Sequence, residues 1–188
     1  MGFFTRCWKN AERAAAVGLC LLLAGCQLAP AESRPSIEVL AFSPAAATAQ
    51  LTLSHQLSPE VLDALRHGVS VTFQWRLEQR QNRPVLWDSV LWSRGGERQI
   101  SYRSLSQYFT LLEPGSGEAT SFRDLPALLA ALDQVPLDDV PADVAGAYFQ
   151  VRARLVISRL PPALRLSSYL SDQWRMDTGW VRLTGVTS

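Results

Sequence analysis

The sequence predicts a mainly β domain: an antiparallel two-layer β-sandwich with two short α-helices. An α+β sheet with helices on one face is the alternative. Three observations lead there. Short segments alternate apolar and polar residues, most clearly residues 69–80. Helical periodicity is confined to two places. Past an amino-terminal leader, 163 of the 188 residues remain, one domain's length and enough to bury a core without covalent staples.

The strands come first. Residues 37–40 and 49–53 are short alternating runs. In 69–80, Val69, Val71, Phe73, Trp75 and Leu77 share one face, while Ser70, Thr72, Gln74, Arg76 and Glu78 share the other. Period two predicts one buried and one wet face. Residues 85–92 are apolar on both faces, which predicts a strand covered on both sides. Gly95-Gly96 reads as a hairpin turn, with 99–103 as the returning strand. Two further strands are expected at 105–112 and 147–157, and 180–183 closes the set. In 147–157, Phe149, Val151, Ala153, Leu155 and Ile157 alternate with Gln150, Arg152 and Arg154.

The first helix opens at Ser58-Pro59-Glu60, an N-cap, a first-position proline and a first-turn acid, and Gly68 follows its end. Val61, Leu62 and Leu65 form its inner stripe. The second runs from Asp124 to about Val135, before Pro136, with Leu125, Leu128, Leu129 and Leu132 inward. Residues 137–143 read as a polar connection, Leu160-Pro161-Pro162 as a break, and 164–174 as irregular or briefly helical.

Residues 1–25 have the parts of a lipoprotein signal peptide. Arg6, Lys9 and Arg13 precede an apolar core, 14–23, which is too short for the ~20 residues of a membrane span. Leu23-Ala24-Gly25-Cys26 is a lipobox: cleavage between Gly25 and Cys26 makes Cys26 the lipidated amino terminus. Several acyl chains on Cys26 give a firm anchor, at roughly 0.8 kcal/mol per buried methylene. Gln27 follows rather than aspartate, which favours the outer over the inner membrane. The proline-bearing stretch 26–36 reads as a flexible tether, leaving 37–188 as a single domain.

Composition then excludes several functions. The chain has 18 basic and 17 acidic residues; removing the leader leaves 15 and 16. Nucleic-acid binding, which needs a basic excess, is not expected. Lys9 is the sole lysine, so the domain has no lysine for a Schiff base or a phosphate loop. Cys26 is the sole cysteine after the leader, so no intrachain disulfide forms.

No motif carries catalysis. His55 and His67 flank the first helix without an acid or cysteine at metal-ligand spacing, and read as capping or surface residues. Asp138, Asp139 and Asp143 lack the central glycine of a calcium loop and read as a solvated turn. Ser116, in Pro114-Gly115-Ser116-Gly117, sits in a tight hairpin loop rather than a nucleophile elbow. No metal and no cofactor are expected. The candidate surface is instead one of interaction. Trp92 and Trp174 can line a groove or interface. Arg76 and Arg80 share the polar face of one strand, Arg152 and Arg154 that of another, and neighbouring strands would join them into an arginine-rich face.

Several segments together resemble an uncharacterised proteobacterial family, domain of unknown function 4390. They are Leu57-Ser58-Pro59-Glu60-Val61-Leu62-Asp63-Ala64-Leu65-Arg66-His67-Gly68-Val69, Tyr102-Arg103-Ser104-Leu105-Ser106-Gln107-Tyr108, Ser121-Phe122-Arg123-Asp124-Leu125, and the tail from Leu160-Pro161-Pro162 through Ser168-Tyr169-Leu170 and Trp174 to Gly179-Trp180. The resemblance covers roughly residues 36–185. It implies an exported envelope protein, with a link to envelope sensing, and brings no activity, catalytic residues or cofactor. The expectation is therefore a periplasm-facing lipoprotein held to the membrane through Cys26. It would bind another envelope protein without enzymatic activity. The alternative function is a carrier or sensor of a small apolar ligand inside the sandwich.

Overall fold

The computed structural model describes residues 35–45, 48–83, 87–142 and 144–183. The leader, Gly25, Cys26, most of the tether and Asp143 lie outside the described residues.

Nine strands form two antiparallel sheets. They are β1 (Ser36–Ala45), β2 (Thr48–Gln56), β3 (Val71–Gln81), β4 (Ser89–Arg103), β5 (Tyr108–Glu113), β6 (Glu118–Phe122), β7 (Gln134–Asp138), β8 (Ala147–Leu155) and β9 (Val181–Arg182). The smaller sheet has the order β1-β2-β7 and the larger β6-β5-β4-β3-β8-β9. The helices are α1 (Pro59–Arg66), α2 (Leu125–Asp133) and α3 (Pro162–Leu170), with 3-10 turns at Ile157–Arg159 and Asp172–Trp174.

The sheets face each other across one apolar core, as the sandwich expectation requires. Leu51 and Leu53 of β2 and Val135 and Leu137 of β7 meet Phe73 and Leu77 of β3, Ile100 of β4 and Val151 of β8. The Phe42 and Phe149 rings touch across the layers at 5.3 Å. α1 has the expected caps: Ser58 Oγ accepts from Val61 N–H at 3.1 Å. At its other end Gly68 (φ +85°) closes a Schellman turn, with Gly68 N–H to Leu65 O at 2.9 Å and Val69 N–H to Ala64 O at 3.0 Å. Gly117, also at positive φ, closes the β5–β6 hairpin around Ser116.

Four expectations are corrected. Gly95-Gly96 is no hairpin turn; both lie inside β4, opposite Arg76 and Trp75. A Cβ on Gly96 would meet the Trp75 ring at 3.0 Å, and one on Gly95 would meet Trp75 O at 2.9 Å, so these glycines permit close approach. Residues 85–92 are not covered on both sides: Trp87 is 79 % exposed, and Val90 and Leu91 are exposed too. The reason is that β5 pairs only with residues 99–103 of β4, leaving the first part of β4 as a sheet edge. α2 stops at Asp133, and Gln134–Asp138 form β7, where buried Val135 and Leu137 alternate with exposed Gln134, Pro136 and Asp138. Thr72 and Glu78, expected on a wet face, are buried, because β3 is a central strand with neighbours on both sides. α3 gives 162–170 a regular helix where an irregular segment was one expectation.

Candidate functional site

β3 and β8 are hydrogen-bonded neighbours, so the two arginine strands do form one face. Odd-numbered residues of both strands point into the core: Phe73, Leu77, Val151 and Leu155 are buried. Even-numbered residues therefore share the outer face. Register sets them in rows running from β8 through β3 to β4: Arg154–Gln74–Glu97, Arg152–Arg76–Gly95 and Gln150–Glu78–Ser93.

The third row is internally neutralised. Gln150 Nε2 donates to Glu78 Oε2 at 3.0 Å, and Arg80 Nε lies 3.7 Å from the same carboxylate. Beyond it, Tyr148 Oη donates to Asp88 Oδ2 at 2.6 Å, and Arg182 stacks on the Tyr148 ring at 3.9 Å. That bond lowers the Asp88 pKa and raises that of Tyr148 from their ordinary values.

The first two rows carry surplus positive charge. Arg154 donates through Nε and Nη2 to Gln74 Oε1, at 3.1 and 2.8 Å. Arg152 donates through Nε to Asp177 Oδ1 at 2.9 Å and through Nη2 to Asp177 Oδ2, a two-bonded pair. These bonds hold the Asp177 carboxyl below the usual carboxylate range, against partial burial that opposes the shift. Arg76 is exposed and, among the described residues, makes no hydrogen bond or ion pair. Its neighbour on β4, Gly95, has no side chain to fill the space beside it. Trp180 stands at the side, 42 % exposed, on a bulge made by Gly179 at φ +63°. Together Gln74, Trp75, Arg76, Arg152, Arg154 and Trp180 line a cleft of about 170 Å³.

The other proposed surface residues lie elsewhere. Trp174 is 5 % exposed and donates its indole N–H to Glu60 Oε2 at 3.0 Å, so it belongs to the core rather than an interface. Trp92 is half-buried and packs on the core from the inward face of β4. Arg80 borders the cleft's neighbouring, neutralised row.

Two buried polar residues were not anticipated. Arg98 is 6 % exposed; its Nη1 donates to the carbonyls of Ala131, Leu132 and Gln134, and its Nη2 to Glu113 Oε1 at 2.6 Å. It thus caps the carboxyl end of α2. His55, read as a capping or surface residue, is buried: Nδ1 lies 2.6 Å from Asp133 Oδ1, and the ring sits edge-on to Phe73 at 4.8 Å. The acid comes from 78 positions away, which local spacing cannot reveal. Both residues carry a legible signal nonetheless. His55 is in phase with Leu51 and Leu53, and Arg98 with Ile100, on the buried side of their strands. His67 does cap: its Nδ1 meets Asp63 O at 2.8 Å.

Among the described residues no group of three His, Cys, Asp or Glu is placed to hold a metal ion. No described helix is long and apolar enough to cross a membrane. Between the sheets, the cavity bounded by Leu53, His55, Phe73, Leu132 and Val135 measures about 10 Å³, room for about one water. Comparison with curated proteins and with solved structures found no match. The model of one family, described as Domain of unknown function (DUF4390), matches residues 41–184, and the chain belongs to that family.

Proposed function

We propose that this chain is an envelope lipoprotein, anchored through Cys26, whose domain is a non-enzymatic module that binds a partner envelope protein through the outer face of its larger sheet. The observation that carries the reading is the first two rows of that face: Arg76, Arg152 and Arg154 meet one carboxylate of their own, Asp177. An exposed arginine cluster beside a tryptophan has the composition of a protein-binding surface. The small inter-sheet cavity supports this reading over a carrier of an apolar ligand, which needs ~300 Å³ or more.

Two measurements test it. Cys26→Ser should abolish lipid labelling and move the protein from membranes to the soluble fraction; a membrane-bound variant removes the anchor. Crosslinking from an unnatural photoreactive residue at Trp180 should recover one stoichiometric envelope protein. Recovery of none from intact cells removes the binding function.

A further inference from the structure

We propose that the Arg76–Arg152–Arg154 cleft seats the carboxylate side chains of an extended acidic segment of the partner protein. This deepens the reading above and rests on the partner being a protein.

Chemistry selects the ligand's charge. A guanidinium offers a planar fork of donors that matches a carboxylate. Arg76 presents that fork unbonded, with the empty position of Gly95 on one side and a second cation, Arg152, on the other.

The chain itself displays the mode of binding. Past Trp174, the backbone runs antiparallel beside β8, with Leu155 N–H to Met176 O at 2.8 Å and Thr178 N–H to Ala153 O at 3.0 Å. That extended segment lays its Asp177 carboxylate on Arg152 with two hydrogen bonds. An acidic side chain on an extended backbone is thus a geometry this face already accepts, and Arg76 is the guanidinium left over.

Spacing and size point the same way. Arg152 and Arg154 share a strand face at i, i+2, about 7 Å apart along the chain, and Arg76 lies about 5 Å across from Arg152. A bound strand repeats its same-face side chains at the same ~7 Å. The cleft, at about 170 Å³, is smaller than the ~300 Å³ where small-molecule pockets begin, and suits single side chains flanked by Trp180.

The test titrates the purified full chain, in detergent at low salt, with three probes: a fluorescein-labelled peptide alternating glutamate and serine, its glutamine counterpart, and inorganic phosphate. The glutamate peptide should bind and the glutamine peptide should not. Arg76→Gln should weaken binding about tenfold or more, and Arg76→Lys should restore only part of it, since an ammonium cannot form the fork. Arg76 is exposed and unbonded, so the variant's circular dichroism should match the parent's. Equal binding by the Arg76→Gln chain overturns the proposal. Phosphate binding as tight as the peptide's overturns it too, by making the cleft a site for a free oxyanion. A partner crosslinked from Trp180 whose capture is unchanged by Arg76→Gln overturns this cleft assignment while the protein-binding function stands.

Discussion

Arg76 and Arg152 stand directly opposite each other across the β3–β8 ladder, and of the two only Arg152 has a carboxylate. Two like charges facing each other across a sheet cost roughly 0.2–1 kcal/mol. A binding surface that holds an unneutralised cation therefore does so at the expense of stability. Arg76→Thr, which keeps a good strand former in place, should raise the urea midpoint by an amount equivalent to about 0.5 kcal/mol. Arg76→Lys, which keeps the charge, should leave it nearly unchanged. A lower midpoint for Arg76→Thr would show that the arginine supports the fold rather than straining it.

The Arg152–Asp177 pair gives the domain an acid-dependent contribution. The folded Asp177 pKa lies below its ordinary value, chiefly because Arg152 donates to the ionised form, helped by Gly179 N–H and the charges of Arg152 and Arg154. The native state therefore binds fewer protons than the unfolded state in this range. The contribution is fully present above the unfolded value of about 3.9 and is lost as pH falls through the lower folded value. Both side chains are about one-third exposed, so the effect at neutral pH should stay under about 1 kcal/mol. Asp177→Asn should lower the urea midpoint at pH 7 and reduce its further fall in acid. A variant as steeply acid-sensitive as the parent would take Asp177 out of that response.

Arg98 is the residue on which the join between α2 and β7 most depends. Its side chain is 8 % exposed, and it satisfies three carbonyls at the point where helix gives way to strand. Arg98→Met leaves those acceptors dry and should destabilise the domain by about 3 kcal/mol, read by chemical denaturation. Glu113→Gln keeps the cap and removes an ion-pair partner that is 40 % exposed, so it should cost under about 1 kcal/mol. Equal losses in the two variants would place the energy in the ion pair instead of the cap.

The elements most legible in the sequence were those whose signal is local. Ser58, Pro59 and Gly68 bracket α1 because caps act within one turn. Residues 69–80 and 147–157 announced strands because period two spans only a few residues. β7 was hidden, since Val135 and Leu137 continue the apolar character of α2, and only the capture of its last carbonyls by Arg98 ends the helix at Asp133. β6 was hidden for another reason: Glu118–Phe122 is a short edge strand, largely exposed, with little apolar alternation to detect. Gly95-Gly96 misled because the same dipeptide suits a turn or a close approach, and only the position of Trp75 across the ladder distinguishes them.

By itself the sequence determined that the domain is mainly β, where α1 begins and ends, and that Arg76 and Arg80, like Arg152 and Arg154, share one strand face each. These properties follow from backbone periods and caps, whose range is a few residues. Only the tertiary structure decided that those two strands pair, that Arg76 meets Arg152 in register, and that Gly95 leaves the space beside it open. It also drew Trp174 into the core and set His55 against Asp133. Strand order and register arise from many weak contacts between residues tens of positions apart, each of which closes only when the sheets pack, and no local stretch of sequence encodes them.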